Sequence, residues 1–227
     1  MEDRRVVTLS KVLSLSRQIV GVRFLVYKKD YDDCPAEPYK GKIRLCGFVN
    51  KAGHGSRLKV HVGNFSCTGG TNQTGMSKAL ETELSGQSMA HCGLYSDLSI
   101  ARQVVDSFSR IPQTVYGLEI APLSQMEDAD VVIILGFAEQ IMYVMQGYSW
   151  HYGVPKPLVS VGNGAMCSDM VAKPFMRNDI NLSLMCCGAR TSTVSDHGEL
   201  GVGMPSHMFP FIVDGTIEVL KKAKMSA

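Results

Sequence analysis

The chain has 227 residues, enough to bury a sizeable core as one large domain or two small ones. Charged residues at 19% and hydrophobic residues at 45% describe an ordinary globular protein. A formal net charge of +2 is too small to argue for nucleic acid or a charged membrane surface, and no run reaches the roughly 18 apolar residues of a membrane span.

Val6 to Ile19 carries apolar residues at Val12, Leu13, Leu15 and Ile19, predicting a short amphipathic helix with Ser10 available as a cap. Val20 to Tyr27 is β-rich and reads as a strand. Lys28 to Gly41 is acidic, holds Pro35 and Pro38, and is expected to be a loop. Ile43 to Ala52 predicts a helix, and the alternation from Leu58 to Val62 a strand. From Cys67 to about Leu94 irregular structure is expected, with one short helix from Ser77. Asp97 caps a helix running to Ser109, and Val115 to Leu123 forms another strand. Ala129 to Gly136 is continuously apolar, which implies a strand buried on both faces. Glu139 to Tyr152 is helical and stopped by Gly153 and Pro155. Strands are expected at Leu158 to Val161 and Ile180 to Cys186, with a helical turn at Cys167 to Ala172 between them. Gly201 to Pro205 reads as a ligand-closing loop or a plain terminator, Asp196-His197 with Glu199 as a solvated loop, and Phe211 to Lys224 as the closing helix. The alternation predicts α/β or α+β architecture, a single domain with a mixed sheet.

A weak internal echo divides the chain. Val62-Gly63-Asn64-Phe65-Ser66-Cys67 returns, with one residue inserted, as Val161 to Cys167. Val20 to Phe24 resembles Tyr116 to Ile120, and Leu45 to Val49 resembles Ile134 to Ala138. Half-repeats over 6–95 and 112–205, with a closing helix at 210–224, would place Cys67 opposite Cys167 at the junction, where pockets form.

The N-terminus is charged and no apolar signal core follows it, so the expected compartment is the cytoplasm. Seven cysteines is an odd number, and a reducing cytosol disfavours disulfides. Cys46, Cys67, Cys167 and the pair Cys186-Cys187 stand beside glycine, small residues or basic residues. Glycine lets backbone N–H groups approach a ligand closely, and such donors stabilise thiolates. Arg44, Lys42 and Arg190 would favour the thiolate, which is the form that ligates or attacks. Cys34 and Cys92 lack this setting and read as bystanders. At a strand end only one of Cys186 and Cys187 reaches the site, and adjacency to Gly188 favours Cys187.

Tight Cys-x-x-Cys spacing for structural zinc is absent, whereas scattered thiolates suit an iron–sulfur cluster of 4Fe–4S type. Met166, Met170, Met176 and Met185 keep Cu(I) open, although core filler is the plainer role for methionine. Catalytic thiols at Cys46 or Cys67, a metal-free binding module and purely structural cysteines are the other readings. Trp150 and His151, within Gly147 to Gly153, could wall a ligand or simply pack.

Lys42-x-Arg44-x-Cys46, the Cys67-Thr68-Gly69-Gly70 turn, Gln146 to Gly153, the Cys167 loop, Asp179 to Cys186 with Gly188 and Arg190, and Gly201 to Pro205 together resemble the DUF169 family over nearly the whole chain. That resemblance implies a prokaryotic, cytoplasmic, single family-wide domain without an assigned reaction. Its pattern points to Cys186 rather than Cys187. The leading expectation is an iron–sulfur protein with redox or small-molecule, sulfur-related chemistry. Its partners would be a small molecule or redox protein, with no nucleic acid and no membrane. A homodimer is expected only because symmetric dimers are common.

Overall fold

The computed structural model describes residues 4–192 and 197–225. Its strands are β1 (Val20–Leu25), β2 (Glu37–Pro38), β3 (Leu58–His61), β4 (Gly117–Pro122), β5 (Val131–Phe137), β6 (Asn181–Ser183) and β7 (Glu199–Pro205). They form one seven-stranded sheet in the order β2-β3-β4-β1-β5-β7-β6. Neighbours are antiparallel except β2 and β3, so the sheet is mixed. The described chain is a single α/β domain, as its alternating pattern predicts.

Side chains alternate across β5 and divide the core in two. Val132 and Ile134 face one layer with Val202 and Met204 of β7. That layer is covered by helices α1 (Arg4–Val12), α8 (Ala138–Tyr152) and α11 (Phe209–Met225). Val131, Ile133 and Leu135 face the other layer. There α3 (Leu45–Gly53) and a π-helix, Ala165–Ala172, pack over the sheet. The buried apolar residues of β5 explain why its continuous hydrophobic run is legible: neither face sees water.

Several elements differ from expectation. The first helix ends at Val12 because Ser14 takes a positive φ of 50°, and Ser10 lies inside it rather than capping it. The acidic segment after β1 is helical, α2 (Lys28–Asp33), supported by the i,i+4 pairs Lys28–Asp32 and Lys29–Asp33. The stretch after Cys67 holds α4 (Thr68–Asn72), α5 (Glu81–Leu84) and α6 (Gln87–His91) before α7 (Leu98–Asp106). Asp97 caps α7 as expected, accepting from the Ile100 N–H at 3.0 Å. Leu158 to Val161 is not a strand. Its backbone is held instead by Asn181, whose Oδ1 accepts from Val159 N at 3.0 Å while its Nδ2 donates to Val159 O at 3.1 Å.

Ile180 to Cys186 keeps only Asn181–Ser183 as strand, because Met185 adopts φ 68° and turns the chain. Gly201 to Pro205 is no loop but part of the buried strand β7. A Cβ at Gly203 would overlap the Met170 carbonyl, and one at Gly201 the Met170 sulfur, so these glycines let the π-helix lie directly on the sheet. Glu199 is buried in an ion pair with Arg17 at 2.6 Å, rather than exposed in a solvated loop, and Asp196 lies outside the described residues. The expected half-repeats interleave, since β1 sits between β4 and β5. Leu45 to Val49 is helix whereas Ile134 to Phe137 is strand, so that part of the echo is coincidence of sequence.

Candidate functional site

Four cysteines from four separate segments line one cavity of about 210 Å³ in the layer of α3 and the π-helix. Each stands at or beside the start of a helical segment. Cys46 is the second residue of α3, whose first turn follows extended Arg44. Cys67 is the extended residue before α4, with φ −136° and ψ 137°. Cys167 is third in the π-helix, which Gly164 opens with φ 66°. Cys186 directly precedes α10 (Cys187–Ser192), and its sulfur accepts from the Ala189 N–H at 3.4 Å. Backbone N–H groups at helix starts lack intrahelical partners, so they favour negative charge on nearby sulfur.

The glycines set the spacing. A Cβ on Gly69 would lie 3.7 Å from the Cys167 sulfur, and one on Gly70 would lie 3.2 Å from the Cys67 sulfur and 2.8 Å from Phe65. Gly188 leaves room for Arg44, whose Nη1 donates to the Gly188 carbonyl at 3.3 Å. That bond joins the start of α3 to the start of α10, and so the Cys46 wall to the Cys186 wall. Leu45, Met89, Phe108, Ala165 and Met166 give the cavity an apolar lining, and Gln73 and Asn163 add polar groups.

Although Cys167 keeps some accessible surface, its thiol is surrounded by protein. Burial pushes it well above the ordinary thiol range, and the neighbouring thiols of Cys67, Cys186 and Cys46 push it the same way. Without a compensating cation this cavity therefore holds Cys167 as a neutral thiol.

The sequence-predicted residues separate cleanly. Cys46, Cys67, Cys167, Cys186, Gly69, Gly70, Gly188 and Arg44 meet at the cavity. Cys187 does not: it is exposed, on the first turn of α10. The local preference for Cys187 assumed a strand end, but the chain enters a helix here, and the residue before it turns inward. Arg190 does not line the cavity; it clamps the backbone of the flanking loop, donating to Leu184 O at 2.9 Å, His197 O at 2.8 Å and Glu199 O at 3.1 Å. Trp150 and His151 lie across the sheet on α8. There Lys222 sits 4.2 Å from the Trp150 ring centroid, and His151 packs edge-on against Phe211. Cys34 is buried with Leu25 and Ala36, and Cys92 is exposed.

Sequence reasoning missed the scaffold behind the cavity. Asp169 and Lys173, both buried, pair at 3.2 Å on the π-helix and the start of α9 (Lys173–Arg177). Asp169 also accepts from Ser160 at 2.9 Å and Ser183 at 3.0 Å, and Lys173 donates to Val159 O at 3.1 Å. Ser160 and Ser183 in turn accept the backbone N–H groups of Leu184 and Met185. The network thus ties the Cys167 helix to the segment that delivers Cys186. Burial pushes the Asp169 carboxyl up, opposed by Lys173 and the two serines. The signal was present: an acid and a base four apart inside the apolar run A-M-C-S-D-M-V-A-K.

Among the described residues, no three His, Cys, Asp or Glu side chains close on a point fit for a single ion. The four thiols stand around the cavity walls. Among the described residues, no helix is long and apolar enough to cross a membrane.

An α/β domain with a thiol-walled cavity defines the class. More narrowly, the chain belongs to the DUF169 family, described as "Uncharacterised ArCR", whose profile matches residues 8–215. It is 22% identical over 209 residues to the uncharacterised protein MJ0308 of Methanocaldococcus jannaschii, covering 91% of this chain and 89% of that protein. No solved structure matches it significantly.

Proposed function

We propose that this protein works in the reducing cytoplasm of a prokaryote and holds an iron–sulfur cluster of 4Fe–4S type through Cys46, Cys67, Cys167 and Cys186. The observation that carries this is the convergence of four thiols from four distant segments on one small cavity. Clusters are held by such cysteine sets without fixed spacing. The thiols also fit on grounds of charge. Burial first, and then the neighbouring thiols, hold Cys167 in its protonated form, and iron would offset that cost when it displaces the protons. When bound through all four cysteines, the cluster would supply one-electron chemistry, and Lewis-acid chemistry only if one cysteine left its iron open. The chain's own groups then orient and shield. The Ala189 N–H is directed at the Cys186 sulfur, Gly69 and Gly70 admit backbone close to Cys67 and Cys167, and Met89, Phe108 and Met166 exclude water.

The reaction class this supports is redox or small-molecule chemistry, sulfur-related, with a small molecule or a redox protein as partner. Anaerobic purification with iron and acid-labile sulfide analysis tests it. Each of the four Cys→Ser variants is expected to lose most of the iron, while Cys187→Ser retains it. A colourless, iron-free protein fully occupied by another metal would contradict the reading, and so would one that binds no metal at all.

A further inference from the structure

Gln73 follows α4, is only 4% exposed and lines the thiol cavity. Its Oε1 is a buried acceptor with no hydrogen-bond partner among the described residues. The amide spans the two glycine turns of the site. Its Nε2 lies 3.6 Å from the Cβ position of Gly69, and its Oε1 lies 3.4 Å from that of Gly164. The same Gly69 position is 3.7 Å from the Cys167 sulfur, which places the amide beside the thiols.

A buried acceptor left unsatisfied carries a desolvation penalty, so one facing a cavity calls for a donor inside it. A metal–thiolate group cannot provide that donor: its sulfurs are acceptors, and its cysteines have already lost their protons. We infer that the cavity takes, beside its metal group, a small protic guest that donates an N–H or S–H to Gln73 Oε1. The guest belongs to the class of hydrosulfide or ammonia, because the whole cavity is only about 210 Å³. The inference rests on the proposed function for the cluster, although Gln73 itself does not.

The test is a set of crystal structures of anaerobically prepared protein. Crystals are left unsoaked, soaked in sodium hydrosulfide or soaked in ammonium chloride, with Gln73→Leu treated alike. We expect a guest, neither protein nor metal, within hydrogen-bond distance of Gln73 Oε1. One soak should change it, and Gln73→Leu should lose it while keeping its four sulfurs in place. An ordered water indifferent to both soaks would overturn the inference, as would an amide that meets only protein or cluster atoms. A guest present in a cavity without metal would refute the cluster reading and leave Gln73's role standing.

Discussion

The two faces of the sheet solve the same packing problem with different means. On the face of α8 and α11, two long helices cross closely because a Cβ at Gly147 would overlap Thr216. Its core is apolar from Ile134 and Val144 to Ile212 and Val213, with Thr216 and the Tyr148–Asp179 hydrogen bond at 2.7 Å as buried polar groups. On the opposite face, Gly201 and Gly203 bring a π-helix equally close to the strands, but that helix carries Cys167 and the buried Asp169–Lys173 pair. A π-turn widens the helix and is commonly found at functional sites. Both faces carry an apolar core, and the second also buries thiol and charged groups within it.

The sharpest way to break that contrast is Lys173→Met. It leaves Asp169 buried without its cation, and removal of one partner of a buried pair costs about 3–5 kcal/mol. Urea unfolding should show the loss at neutral pH and its partial recovery on acidification. The sign follows from the raised Asp169 carboxyl: the folded state binds that proton more tightly than the unfolded chain, so stability falls as pH rises between their two pKa values. Unchanged stability in Lys173→Met would mean that the pair is not part of the scaffold.

Next in size come two glycine substitutions. Gly147→Ala and Gly203→Ala should each cost about 1–3 kcal/mol by overpacking. Only Gly203→Ala should also reduce iron content, because it displaces Met170 and with it the Cys167 helix. Equal iron loss in both would dissolve the distinction between the faces.

A smaller effect is expected from pH in the metal-free protein. The raised Cys167 thiol keeps its proton when folded, so its own contribution to stability should be flat below the unfolded thiol pKa of about 8.5. Above that it should decline by at most about 1.4 kcal/mol per pH unit, until the folded pKa is passed. Cys167→Ser should remove that part of the slope, as read by thermal unfolding across the alkaline range. The smallest effects belong to Cys187→Ser and His151→Ala, where iron content should be unchanged. An exposed position such as Cys187 should shift stability by no more than about 0.5 kcal/mol.

Much of this was legible because chemistry and geometry left local marks. The run of β5 announces burial on both faces, and Asp97 caps its helix by a rule three residues long. Gly69 and Gly70 after Cys67, and Gly188 after the cysteine pair, mark close backbone approach, and one cavity brings Cys46, Cys67, Cys167 and Cys186 together in space. What failed had no local mark. Glycines at 201 and 203 look like turn signals, yet their reason is a helix packed onto them from elsewhere in the chain. The turn at Met185 carries no glycine to announce it, so the alternating pattern extends the strand too far, and adjacency to Gly188 then favours Cys187 over Cys186. Gln73 gave no signal either, since a glutamine after a short helix is unremarkable until its surroundings are known.

The central claim is that four thiols jointly hold one iron–sulfur group. X-ray absorption at the iron edge, on anaerobically purified protein, tests it most directly. The account predicts a shell of sulfur around iron together with a short iron–iron scattering path, both lost in Cys167→Ser. A lone metal ion with sulfur neighbours and no metal–metal path, or no bound iron in the intact protein, would contradict it.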